Sequence, residues 1–214
     1  MRQRAIYLGA LVALNAHSVF TMPGWQPDTW SRISRMVVRD LIGIEPWTYT
    51  VFVMFGMWSL LIAALVLLDG WYQRWPAWPF ALSTLVLGPS MVFLYQAFRR
   101  PNLEPRRRRH RLENIARSRL LGISIAAITL AALWEGRSGD PGTLWVQFRT
   151  DYFTHAMLVD EALFMILTPI LVGQDRDRCK RGLAWIWVTL CLPILGACIY
   201  LATRKAEPDR PART

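Results

Sequence analysis

The chain has 214 residues, 53% of them hydrophobic, and a formal net charge of +10. That balance is too apolar for an ordinary soluble domain of this size. The three cysteines form no CxxC or Cys/His cluster, which excludes a zinc module.

Three segments settle the class. Trp47 to Leu68, Trp75 to Phe98 and Gly182 to Thr203 contain no Asp, Glu, Lys, Arg or His. A helix needs roughly 20 apolar residues to cross a hydrocarbon core of about 30 Å. The chain therefore reads as an all-α integral membrane bundle forming a single membrane domain over residues 1–214.

Six spans are predicted. The first, Ala5 to Thr21, is interrupted by Asn15 and His17. The connector after it alternates apolar residues with Arg32, Arg35 and Arg39 between Trp30 and Ile42, the pattern of a helix lying flat at a membrane surface. Trp47 to Leu68 is the second span, stopped by Asp69-Gly70. Trp78 to Phe98 is the third, with Gly88-Pro89 read as a kink. The strongly basic segment after it carries Arg106, Arg107, Arg108, Arg109 and Arg111. Without interleaved aromatics this run points to lipid headgroups and topology, and no nucleic-acid partner is expected. Leu120 to Trp134, Tyr152 to Gly173 and Gly182 to Thr203 complete the six.

The segments after the first, third and fifth spans hold 3, 9 and 4 Lys or Arg, and the rest of the chain holds 9. The positive-inside bias then predicts those three segments in the cytoplasm and both termini outside.

A weak internal repeat is visible. "MVFLYQAFRR" and "GACIYLATRK" both read Tyr-x-x-x-Arg, so Tyr95 aligns with Tyr200 and Arg99 with Arg204, each 105 residues on. The expectation is two halves, 1–105 and 106–214, of three spans each. Three is odd, so the halves would be inverted in the membrane.

The polar residues inside the fifth span are the candidate site. Asp160 lies eight residues in from Tyr152, about 12 Å along the axis, and Glu161 follows it. A carboxylate there costs about 2.5–3.5 kcal/mol on insertion scales. Both are expected to face the bundle, as an ion or proton path, as a ligand-orienting site, or as a structural contact between helices or subunits. Asp151 and His155 share a helix face. The imidazole reads either as a capped, hydrogen-bonded side chain or as a ligand for a metal or a pigment's magnesium. No HExxH, ExxH or GxSxG motif occurs, so no catalytic residues are assigned and a non-enzymatic role is expected.

The stretches "QPDTW", "VFVMFGMWSLLIAALVLLDG", "PAWPFALSTLVLGPSMVFLYQAFRRPN", "FTHAMLVDEALFMILTPILVGQD" and "WVTLCLPILGACIYLATR" resemble an uncharacterised family of multi-pass membrane proteins from cyanobacteria and plastids. The resemblance runs from about Gln26 to Arg204. Its most specific part is Pro76-Ala77-Trp78-Pro79-Phe80 after Asp69-Gly70; Tyr95, Arg99, His155 and Asp160 also match. Leu94 departs from a family pattern with Pro before Tyr95, and Glu161 departs as well. The resemblance implies a thylakoid or inner membrane and no known reaction. It suggests an accessory or assembly-type component of a photosynthetic pigment–protein complex, with chlorophyll or carotenoid as the cofactors in view. A small transporter or channel, active as a homodimer, is the alternative, and an intramembrane enzyme the third reading.

Overall fold

The computed structural model describes residues 2–70, 73, 75–100 and 111–204. Arg106, Arg107, Arg108 and Arg109 lie outside them, as does the side chain of Arg111. The described residues form eleven helices and no strand: α1 Arg2–Phe20, α2 Thr29–Val37, α3 Pro46–Gly70, α4 Trp78–Leu87, α5 Pro89–Phe98, α6 Arg111–Ala116, α7 Arg119–Gly136, α8 Pro141–Thr150, α9 Tyr152–Arg178, α10 Ala184–Cys191 and α11 Pro193–Thr203. Three of them, α3, α7 and α9, are long and apolar enough to cross a membrane.

Helix α3 is the hub. It is apolar all the way round, the composition of a helix with no water-facing side, and it packs on α9, α7 and α4. Leu61, Ile62, Leu65 and Val66 are almost fully buried along it, and the Trp58 ring stacks on Phe164 of α9.

Two side-chain contacts define the ends of the bundle. At one end Arg178, closing α9, pairs with Asp69, closing α3. At the other, Thr50 near the start of α3 donates to the Ala132 carbonyl near the end of α7. So α3 and α9 run in the same direction and α7 runs against them. Helix α1 also runs against them: Arg4 bonds the Ala97 carbonyl at the first end, and His17 meets His155 at the second. We call these the basic end and the histidine end.

The third and sixth predicted spans do not cross. Each folds back as a helical hairpin. Phe80 of α4 lies 5.6 Å, ring to ring, from Tyr95 of α5, whereas a continuous helix would separate them by about 22 Å. Trp185 of α10 lies 5.4 Å from Tyr200 of α11 in the same way. Each leg is too short to span a bilayer. Gly88 forms the first tip with φ 56° and ψ −145°, a conformation that L side chains rarely adopt. Pro89 and Pro193 then open the return legs, where a helix has no use for an N–H. In the second hairpin a Cβ on Gly196 would run into the Val188 carbonyl, so a bare Cα lets the legs approach.

Two further expectations are corrected by this arrangement. The halves are not inverted, because the Asp69–Arg178 pair brings the ends of α3 and α9 to one face. Nor does the connector after α1 share a face with the other basic segments. Gln26 bonds the Thr150 carbonyl and the Tyr152 amide, and Arg32 bonds Asp151, all at the histidine end. The amphipathic reading of this connector fits α2, which exposes Trp30 and Val37 while burying Thr29 and Met36. Helix α8 starts at the same end, where Asp140 accepts from the amides of Gly142 and Thr143.

Candidate functional site

Helix α9 carries polar groups at three levels. At its start, Asp151 caps the helix by accepting from the Thr154 amide at 2.9 Å and the Thr154 hydroxyl at 2.5 Å. The same carboxylate receives Arg32 through two nitrogens, at 2.9 and 3.3 Å. One turn on, His155 is buried. Its ring lies flat on Phe148, 4.4 Å between centroids, and its Nδ1 lies 2.7 Å from the Phe148 carbonyl. A carbonyl only accepts, so Nδ1 is the protonated nitrogen. The free Nε2 lies 3.0 Å from Nε2 of His17, which in turn bonds Thr21 through its own Nδ1. Both nitrogens of His155 are thus engaged within the protein, leaving neither for a pigment's magnesium. Among the described residues no three His, Cys, Asp or Glu side chains converge as a metal site.

Within the apolar stretch of α9, Asp160 sits against the tip of the first hairpin. A Cβ on Gly88 would collide with the Asp160 carboxylate. Gly88 is also the N-cap of α5, so the carboxylate lies beside the N-terminal end of a ten-residue helix. Beside it, Glu161 is 8% exposed, and its Oε1 has no hydrogen-bond partner. The expectation that both carboxylates avoid lipid is met unequally: Glu161 is buried, Asp160 half-buried.

The basic end holds two matching clusters. Asp69 accepts from the Tyr95 hydroxyl, from Arg99 at 2.9 and 2.8 Å, from Arg178, and from Gln73 one turn beyond it at 2.9 Å. Asp175 accepts from the Tyr200 hydroxyl at 2.7 Å and from Arg204 at 2.8 and 2.9 Å, with the Cys179 thiol one turn beyond it. Both aspartates are almost fully buried. Burial alone would pull the Arg204 guanidinium below its ordinary pKa. The bonds and charge of Asp175 outweigh that and hold it above. The same balance, with Asp69 as partner, raises Arg99.

Tyr95, Arg99, Tyr200 and Arg204 therefore have a chemical reason for their shared spacing: each Tyr/Arg set closes on an aspartate at the end of a long helix. Reading the sequence missed Asp69 and Asp175, as well as His17 and Arg32 as partners of α9. A signal for the aspartates existed, since both follow an apolar run at nearly the same offset.

No family model, curated protein or solved structure matches the chain.

Proposed function

We propose that the chain is a small proton- or cation-coupled membrane carrier built from two like halves that run in the same direction. In this reading α1, α3, α7 and α9 cross the bilayer, and the hairpins α4–α5 and α10–α11 enter it from the basic end. What supports two like halves is the pairing of Asp69, Tyr95 and Arg99 with Asp175, Tyr200 and Arg204.

One observation carries the functional reading: a half-buried and a buried carboxylate, Asp160 and Glu161, lie inside the apolar zone at the tip of a broken helix. Ionisable groups in that position are costly, and carriers use broken helices to make ion sites there. A structural contact would satisfy its own polar atoms, whereas Glu161 keeps one oxygen unpaired.

Charge gives the orientation. Among the described residues, Arg32, Arg35, Arg39, Arg137 and Arg149 belong to the segments at the histidine end, against Arg4, Arg99, Arg100, Arg117, Arg119, Arg176, Arg178, Lys180, Arg181 and Arg204 at the other. The positive-inside bias then favours a cytoplasmic basic end with both termini inside. This replaces the outside termini expected from six crossings.

The test is flux in proteoliposomes. Proton or cation uptake by the wild-type chain, abolished in Asp160→Asn or Glu161→Gln while the folded yield is kept, is the expected result. Wild-type vesicles no leakier than empty ones would overturn the proposal. An accessory role in a photosynthetic complex rests on the sequence resemblance alone; recovery of pigment–protein partners in a pull-down from the native membrane would favour it.

A further inference from the structure

We propose that the cavity beside the first hairpin binds one anionic phospholipid, its phosphate held by Arg4 and Arg100 and its acyl chain lying along Trp75, Phe80 and Phe98. The cavity measures about 600 Å³ and opens at the basic end. Its walls are mostly apolar, yet Arg4, Arg99 and Arg100 all reach it.

The three arginines differ in what they have left to offer. Arg99 is committed to Asp69. Arg4 uses only Nε, on the Ala97 carbonyl, and its terminal nitrogens face no carboxylate among the described residues. Arg100 is exposed; its backbone amide bonds Gln73, and its guanidinium meets no acceptor among the described residues. Two guanidiniums with open donors above an apolar slot complement a phosphate on a greasy tail. Trp75 and Phe98 are 62% and 51% exposed, which gives an acyl chain an apolar wall directly beside the arginines.

At the second hairpin the corresponding space is about half as large, 290 Å³, and Arg181 and Trp185 form part of its wall. Counting 105 residues on, Phe80 corresponds to Trp185, Tyr95 to Tyr200 and Pro76 to Arg181. Arg181 lies over the Trp185 ring at 4.2 Å and the Tyr200 ring at 4.7 Å. It also bonds the Tyr200 carbonyl at 3.1 Å and the Thr203 hydroxyl at 2.9 Å. In the first hairpin Pro76 offers no such group, and the cavity there is the larger one, about 600 Å³. A soluble phosphate would gain nothing from the apolar wall, so the site suits the lipid rather than the free ion.

The experiment is native mass spectrometry of the full chain released from nanodiscs containing equal parts phosphatidylglycerol and phosphatidylcholine. The wild type is expected to retain one phosphatidylglycerol in clear preference to phosphatidylcholine. Replacing both Arg4 and Arg100 by Ala should cut that retention about tenfold or more. Pro76→Arg, which supplies the guanidinium of the second hairpin, should expel the lipid while leaving both Asp–Tyr–Arg clusters intact. Equal retention of the two lipids by the wild type overturns the proposal. So does retention unchanged in either variant, or full displacement of the lipid by millimolar inorganic phosphate.

Discussion

Replacing Asp175 by Asn leaves the Arg204 guanidinium buried without a counter-charge. Arg204 is 7% exposed and makes both its carboxylate bonds to Asp175. Breaking a buried pair by removing one partner costs about 3–5 kcal/mol, because the remaining charge is left in a poor solvent. The Tyr200 hydroxyl also loses its ionised acceptor, at about 1.5–3 kcal/mol for a bond to a charged group; an Asn carbonyl in the same place offsets part of that. A net loss of about 3–5 kcal/mol is therefore expected for Asp175→Asn. The double variant Asp175→Asn with Arg204→Met should recover more than half of it, since no charge is then stranded. Reversible unfolding in mixed detergent micelles, run as a double-mutant cycle, measures both. A cost under about 1 kcal/mol for the single variant, typical of an exposed pair, would refute the reasoning.

Gly88→Ala should destabilise by at least about 1–3 kcal/mol from its backbone conformation alone, with the clash against Asp160 in addition; Gly56→Ala, in open space on α3, is the control and should be neutral or mildly stabilising in the same unfolding assay. His17→Ala and His155→Ala should each cost about 1 kcal/mol through their shared bond, and the double variant less than the sum. Asp140 has its pKa lowered by the Thr143 hydroxyl and by the amides of Gly142 and Thr143. The capping it provides is complete above the ordinary carboxylate pKa and is lost as pH falls through the lowered one, so hydrogen exchange in the first turn of α8 should rise only below the usual range. A cysteine placed at the exposed Ser138, in the same segment at the histidine end, should react with an impermeant maleimide from outside intact cells, whereas the native Cys179 should not.

The fold class was legible because lipid leaves a long record in sequence: α3 runs 25 residues with a single acid near its end, and a helix apolar all round is a membrane span or the core of a much larger protein. The hairpins were not. Trp78 to Phe98 is long enough to be one span or two half-length legs, and mean composition is the same either way. Gly88-Pro89 marks a kink as readily as a reversal; only the ring contact between Phe80 and Tyr95 decides. The shared Tyr/Arg spacing was visible, but the aspartates slipped by one residue. Asp69 lies 26 before Tyr95, and Asp175 lies 25 before Tyr200, so a fixed offset passes over them. His17 was undervalued because its partner is 138 residues away on another helix.

In the arrangement proposed above both hairpins insert from one face, so the molecule would occupy its two leaflets unequally. Among the described residues, a plane through the leaflet at the basic end would then cut eight helical segments, and one near the histidine end four, with α2 and α8 lying above it. Lateral pressure applied to one monolayer alone, by a wedge-shaped lipid for instance, would squeeze the tip of the first hairpin against Asp160 without touching the groups that hold its base.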